Sequence, residues 1–217
     1  FIDGPGRILG GAGPIYIRPD SDGFWSTTIS GIMNFDIGDF EAMSDADAKL
    51  IILHEMGHVL GIGTYWGDRC GMQCKEGNFT YACSKANTEY ERLGIIGGKL
   101  LLESEGGQGT VCRHWDEDSF RDPFSSELMT GLFESGKSQP LSRVSAAALE
   151  DLGYEVDYGE SDPFPDFSIF PASLVTQGSP PSHTVFKAAS TFTLDERMEV
   201  PKIQVYIEDD HLDIPSV

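Results

Sequence analysis

Ser44-Asp45-Ala46-Asp47-Ala48-Lys49-Leu50-Ile51-Ile52-Leu53-His54-Glu55-Met56-Gly57-His58-Val59-Leu60-Gly61 is the stretch on which the reading of this chain turns. Ser44 is a good helix N-cap, and acids at 45 and 47 suit the positive end of a helix dipole. Leu50, Leu53, Gly57 and Leu60 recur at helical spacing, and Gly61 and Gly63 end the run. A helix over roughly Asp45 to Leu60 is expected. Within it lies His54-Glu55-x-x-His58. Residues four apart share a helix face, so both imidazoles can reach one metal ion. Glu55, one step round, is placed to hold a water rather than to ligate. That is the arrangement metal-assisted hydrolysis needs. The plain alternative is two histidines falling four apart by accident on a core helix. With five histidines in the chain, and an apolar face on which they and an acid are costly to bury unsatisfied, that alternative is the weaker.

A catalytic zinc takes three protein ligands and leaves one position open. Gly61 follows His58 at three positions, but the position six after His58 is Thr64, and the next histidine is His114. Three candidates for the third ligand compete on the residues alone: Asp68, Glu89 or Glu91 beside Asn87, and His114.

The surrounding composition limits the function classes. The 217 residues carry 15 Lys and Arg against 35 Asp and Glu, a formal charge of -20. Such a field repels nucleic acid and anionic membranes, so binding to a phosphate backbone is not expected. No run approaches the ~20 apolar residues of a membrane span. The chain opens on Phe1 without a charged or apolar leader, which suggests that something upstream has been removed. Cys70, Cys74, Cys83 and Cys112 cluster in one segment, which fits two disulfides in an oxidising compartment better than a second zinc site. The sequon Asn78-Phe79-Thr80 in the same segment points the same way.

Outward from the helix, Ile15–Ile17 and Ile29–Phe35 read as strands separated by turn residues at Pro19–Gly23. A short helix at Thr88–Leu93, an irregular stretch from His114 to Gly136 and a second capped helix from Ser142 to Gly153 are expected. Ile203–Ile207 alternates like a strand. Gly10, Gly11 and Gly13 lack the context of a phosphate loop. Asp36 and Asp39 read as a solvated turn, and His183 and His211 as surface residues.

Taken in order, several separated motifs resemble the leishmanolysin family of zinc peptidases, within the metzincins: Asp3-Gly4-Pro5-Gly6-Arg7-Ile8-Leu9-Gly10-Gly11-Ala12-Gly13-Pro14, Gly31-Ile32-Met33-Asn34-Phe35-Asp36, His54-Glu55-x-x-His58-x-x-Gly61, His114-Trp115 after a long insertion, Glu127-Leu128-Met129-Thr130-Gly131, and Pro140-Leu141-Ser142-Arg143 through Gly153-Tyr154. The resemblance covers about Ile2 to Asp157. It implies an α+β, metzincin-like fold: a twisted mixed sheet packed on the active-site helix, with a smaller, mainly irregular C-terminal subdomain. It implies one zinc held by His54, His58 and His114, with Met129 in a tight turn beneath it. It divides the chain into residues 1–61, an N-terminal catalytic subdomain that starts after that family's first strands and helix; residues 62–158, a C-terminal catalytic subdomain with the Cys-stapled insertion; and residues 159–217, an acidic tail or small β extension.

The function expected is a secreted or cell-surface zinc metalloendopeptidase acting on protein or peptide substrates. Zinc would acidify its water, and Glu55 would take the proton and pass it to the leaving amine. Extended substrate would pair with the edge strand near Ile8, Leu9, Gly10 and Gly11. Phe124–Leu128, Leu132 and Phe133 would wall the pocket after the cut bond. The rival reading is a catalytically inactive adhesion protein that keeps a structural zinc; a closed structural site has no need of Glu55.

Overall fold

The computed structural model describes residues 4–6, 8–23, 25–72, 74, 77–95, 99–107, 109–120 and 126–165, together with the backbone of residues 186–187. The strand expected at Ile203–Ile207, the histidines at 183 and 211, and Phe124 lie outside the described residues. What is described is a mixed α+β architecture with five α-helices and two small antiparallel sheets.

The first sheet is a hairpin. Strand β1 (Gly10–Pro19) pairs antiparallel with β2 (Trp25–Phe35), from Gly10 opposite Phe35 to Pro19 opposite Trp25, regular as far as Pro14 opposite Gly31 and with register shifts beyond it. The sheet expected was mixed. Among the described residues it is purely antiparallel, because the turn closed by Gly23 N to Asp20 O reverses the chain, whereas a parallel pair needs a crossover of a dozen or more residues. Helix α1 (Ile37–Phe40) follows, capped by Asp36, whose side chain accepts from Gly38 N. Asp36 and Asp39 are not a solvated turn: both are buried, and they accept from Gly4 N and Gly6 N at 2.8 Å. These carboxylates fasten the incoming chain to the end of β2, so solvating them would release that segment.

Helix α2 (Asp45–Leu60) has the bounds the sequence indicates. Ser44 Oγ accepts from Asp47 N at 3.1 Å. At the other end Gly61 adopts φ 116, and Gly61 N and Ile62 N return to the carbonyls of His58 and Gly57, the paired bonds that close a helix on a left-handed residue. The buried face differs from the expected leucine stripe. Leu53 stays exposed, while Asp47, Ile51, His54, Glu55, Gly57 and His58 face inward. The inward face is thus the one that carries the polar motif.

Helices α3 (Trp66–Cys70) and α4 (Ser84–Arg92) belong to the cysteine-rich segment, and α4 begins four residues earlier than the sequence suggests. The disulfides are Cys70–Cys83 and Cys74–Cys112. Asn78 of the sequon is exposed. A short strand β3 (Leu132–Phe133) pairs with β4 (Phe186–Lys187), and α5 (Arg143–Asp151) is capped by Ser142. The main core joins Trp66, Tyr81, Tyr90, Trp115 and Phe120 to Val144, Ala147 and Leu152 of the α5 region, and a smaller cluster joins Leu9, Ile51 and Phe133. Trp115 is wholly buried, and its indole N–H donates to Ser145 Oγ at 2.8 Å. Among the described residues, no helix is long and apolar enough to cross a membrane.

Ser44→Ala removes the cap of the helix that carries the motif. It is expected to lower stability by about 1 kcal/mol, measured as a shift of the urea midpoint at unchanged m-value.

Candidate metal centre

The two histidines of α2 meet a third from the loop beyond the insertion. The Nε2 atoms of His54, His58 and His114 lie 3.0, 3.0 and 3.2 Å apart. The rings of His54 and His114 stack at 17°, and His58 stands edge-on to both. All three side chains are buried. Asp68, Glu89 and Glu91 are not in this group. Glu89 instead bridges Arg92 and Arg143.

The proton positions follow from the other ring nitrogen. His54 Nδ1 faces Leu128 O at 2.6 Å, His58 Nδ1 faces Ile62 O at 2.9 Å, and His114 Nδ1 faces Thr110 O at 3.1 Å. A carbonyl oxygen only accepts, so each Nδ1 carries the hydrogen and each Nε2 presents a lone pair. Burial, the largest effect on each, holds the imidazoles neutral: His54 is lowered to about 4, His114 to about 3, and His58 well below its ordinary value. Three inward lone pairs on neutral rings repel one another unless a cation sits among them. A triangle of these dimensions accommodates one ion at the ~2.0–2.1 Å zinc–nitrogen distance.

Each element of the site is held from a different direction. The bonds that close α2 turn Ile62 back so that its carbonyl meets His58. The turn Glu127–Thr130, closed by Thr130 N to Glu127 O at 3.2 Å, aims the Leu128 carbonyl at His54 and places Met129 against Gly57. A side chain at Gly57 would begin 2.6 Å from Met129 Sδ, so glycine is required there for the turn to approach the helix. Glu127 organises that turn: it is fully buried and accepts from Met129 N, Ser142 N, Ser142 Oγ and Ser145 Oγ. The Cys74–Cys112 bridge, 38 residues apart in sequence, anchors the turn that delivers His114.

Glu55 is wholly buried, and neither of its oxygens has a hydrogen-bond partner. Burial alone pushes it up to about 8. Its carboxylate lies against β1: a Cβ at Gly10 would begin 2.8 Å from Glu55 Oε1. An orphaned carboxylate is among the most costly groups to bury. The three lone pairs, for their part, form a group that could hold a metal ion.

The remaining residues singled out from the sequence are placed as follows. Ile8 is half-buried, and Leu9, Gly10 and Gly11 are buried at the start of β1. Leu132 and Phe133, with Leu128, Thr130 and Gln139, surround a space of only about 10 Å³ against His54, so that wall is closely packed. A larger cavity of about 450 Å³ opens on the far side of Thr110, lined by Glu103, Glu105, Asp116, Glu117 and Asp118. The carbonyls that set the three tautomers were not legible from side-chain identities, because any residue supplies one.

No protein-family model matches this chain, and no curated protein matches it. The chemistry of the site therefore rests on its own geometry, which defines a three-histidine group able to hold a metal ion.

In the acidic cavity, burial and then the adjoining Glu103 carboxyl push Glu117 from 4.5 up to about 9. Between those two values the folded chain keeps a proton that the unfolded chain has lost, so this group destabilises the fold progressively as pH rises. Glu117→Gln is expected to melt higher than the unsubstituted protein at pH 8, with the gap closing near pH 4; thermal melts at both pH values check this.

Proposed function

We propose that this chain is a zinc-dependent endopeptidase of metzincin-like fold, similar to the leishmanolysin family and working outside the cell. The observation that carries the reading is the convergence of three inward-facing imidazole nitrogens together with the orphaned, buried carboxylate of Glu55, the residue that follows His54 on the same helix. A purely structural zinc would be enclosed by four ligands and would leave no reason to bury an unpaired acid next to it. The chain-order agreement of Gly61, the turn at Met129 and the closing helix with that family supports the subclass. The two disulfides and the exposed sequon support an oxidising, extracellular setting.

His54, His58 and His114 would hold the ion, their Nδ1–H groups tethered so that the rings need little reorganisation. When bound, zinc supplies Lewis-acid polarisation of the scissile carbonyl and acidification of the attacking water. Glu55 accepts a hydrogen bond from that water, removes its proton during attack and returns it to the leaving amine. A neighbouring cation opposes the upward push of burial on Glu55, favouring the ionised form a base requires. Strand β1, an edge strand among the described residues, offers backbone groups for an extended substrate, and Gly10 lets that strand pass close to Glu55. Met129 packs against Gly57 on the helix that carries two of the ligands, and the Leu128 carbonyl holds the His54 ring.

Glu55→Gln keeps the shape of the site and removes its base. It is expected to retain one equivalent of zinc while chelator-sensitive cleavage of casein falls by 10²-fold or more. A variant that cleaves as fast as the parent would rule out this role for Glu55, and cleavage insensitive to a chelator would rule out the metallopeptidase reading.

A further inference from the structure

Beyond the metal centre, one half-buried cationic side chain stands apart. Arg69, Arg92 and Arg143 each meet a carboxylate. Arg113 meets none among the described residues, although the chain carries 35 acids. Its one hydrogen bond is from Nη1 to Gly63 O, at 3.3 Å. The side chain is half-buried, and it borders a cavity of about 220 Å³ whose walls include Gly63, Thr64, Trp66, Met72 and Val111. None of its nitrogens is a buried orphan, so the uncommitted N–H groups open on accessible space. A guanidinium cannot shed its charge in a protein, and it presents a planar fork matched to carboxylate geometry.

The backbone that carries Arg113 is fixed tightly for an exposed-loop residue. Arg113 N donates to Thr110 O at 3.1 Å, and the indole of Trp66 donates to Cys112 O at 3.0 Å. Cys112 is disulfide-bonded to Cys74 and sits at φ 61, a left-handed conformation that only surrounding constraint sustains in a residue other than glycine. Gly63 packs so closely that a Cβ there would begin 1.9 Å from Arg113 O. Arg113 adjoins His114 in sequence, and its charge is near enough to help hold both His58 and His114 neutral.

We propose that Arg113 and the cavity it borders form a carboxylate-binding subsite beside the three-histidine group, taking the C-terminal carboxylate or an acidic side chain of a bound peptide. The proposal rests on the peptidase reading for the identity of the ligand, but its chemistry is that of the pocket. The acidic surface does not forbid it. At physiological ionic strength the field of distant charges is screened within ~8 Å, so a carboxylate that enters the cavity feels chiefly the local cation. A pre-positioned fork also avoids much of the ordering cost of binding.

The test uses zinc-loaded Glu55→Gln protein and calorimetry with neutral hexapeptide amides. In the comparison peptides a single carboxylate is introduced, either as a free C-terminus or as one Glu at each position in turn. At least one single-carboxylate peptide is expected to bind about tenfold more tightly than the neutral parent. The arm that does so identifies the source of the carboxylate. Adding Arg113→Gln is expected to remove that margin while zinc content stays at one equivalent. Should that variant not fold, the margin is read in Arg113→Lys, which keeps the charge without the fork, and is expected to shrink severalfold. The assignment is overturned if no single-carboxylate peptide exceeds the neutral parent, if none of the peptides binds, or if the margin is undiminished without the guanidinium. Chelator-sensitive cleavage of casein by the unsubstituted protein reports separately on the peptidase reading.

Discussion

Three imidazole N–H groups, each committed to a backbone carbonyl, determine the rest of this site. Because Leu128, Ile62 and Thr110 accept from the Nδ1 atoms, the Nε2 lone pairs have nowhere to point but toward one another. Burial keeps all three rings uncharged, so they cannot relieve the crowding by protonation at neutral pH. The arrangement is costly when nothing lies between the rings, and a divalent cation turns the cost into coordination. A fold that maintains such a convergence is organised around what it binds.

The scaffold assigns one device to each ligand. The bonds closing α2 on Gly61 serve His58, the turn braced by buried Glu127 serves His54, and the Cys74–Cys112 bridge with the Thr110 turn serves His114. None of these devices touches the ion-sized space, yet each fixes an angle that the space depends on. The same economy explains the glycines that matter. Gly57 admits Met129 beneath the helix, Gly10 admits β1 beside Glu55, and Gly63 admits the chain segment that leads to His114.

The helix and its motif were readable because their signals are local: a capping serine, acids in the first turn, a terminal glycine and two histidines at a four-residue interval. Which face of that helix is buried was not readable from apolar spacing. Leu53, one of the residues recurring at helical spacing, is exposed, while the charged and polar residues of the motif turn inward beside Ile51. Asp36 and Asp39 misled for a related reason: short acids after a strand usually face water, but here they are buried and accept from backbone N–H groups of Gly4, Gly6 and Gly38, with Asp39 Oδ2 left without a partner. The third ligand could not be chosen from spacing, because 55 residues separate it from His58 by a loop whose course is set by disulfides and aromatic packing. Only the ordered set of motifs favoured His114, and the geometry brings that residue, and not Glu89 or Asp68, to the other two. The mixed sheet expected from the resemblance is, over the described residues, an antiparallel hairpin and a two-residue pair.

The central claim concerns a single coordinated ion, so the decisive measurement is metal stoichiometry joined to the ligand set. Equilibrium dialysis against zinc, followed by X-ray absorption at the zinc edge, should find one ion per chain with three imidazole nitrogens in its inner shell, and His114→Ala should lose most of that affinity. A protein that takes up no stoichiometric metal, or a His114→Ala variant that binds zinc as tightly as the parent, would contradict the account.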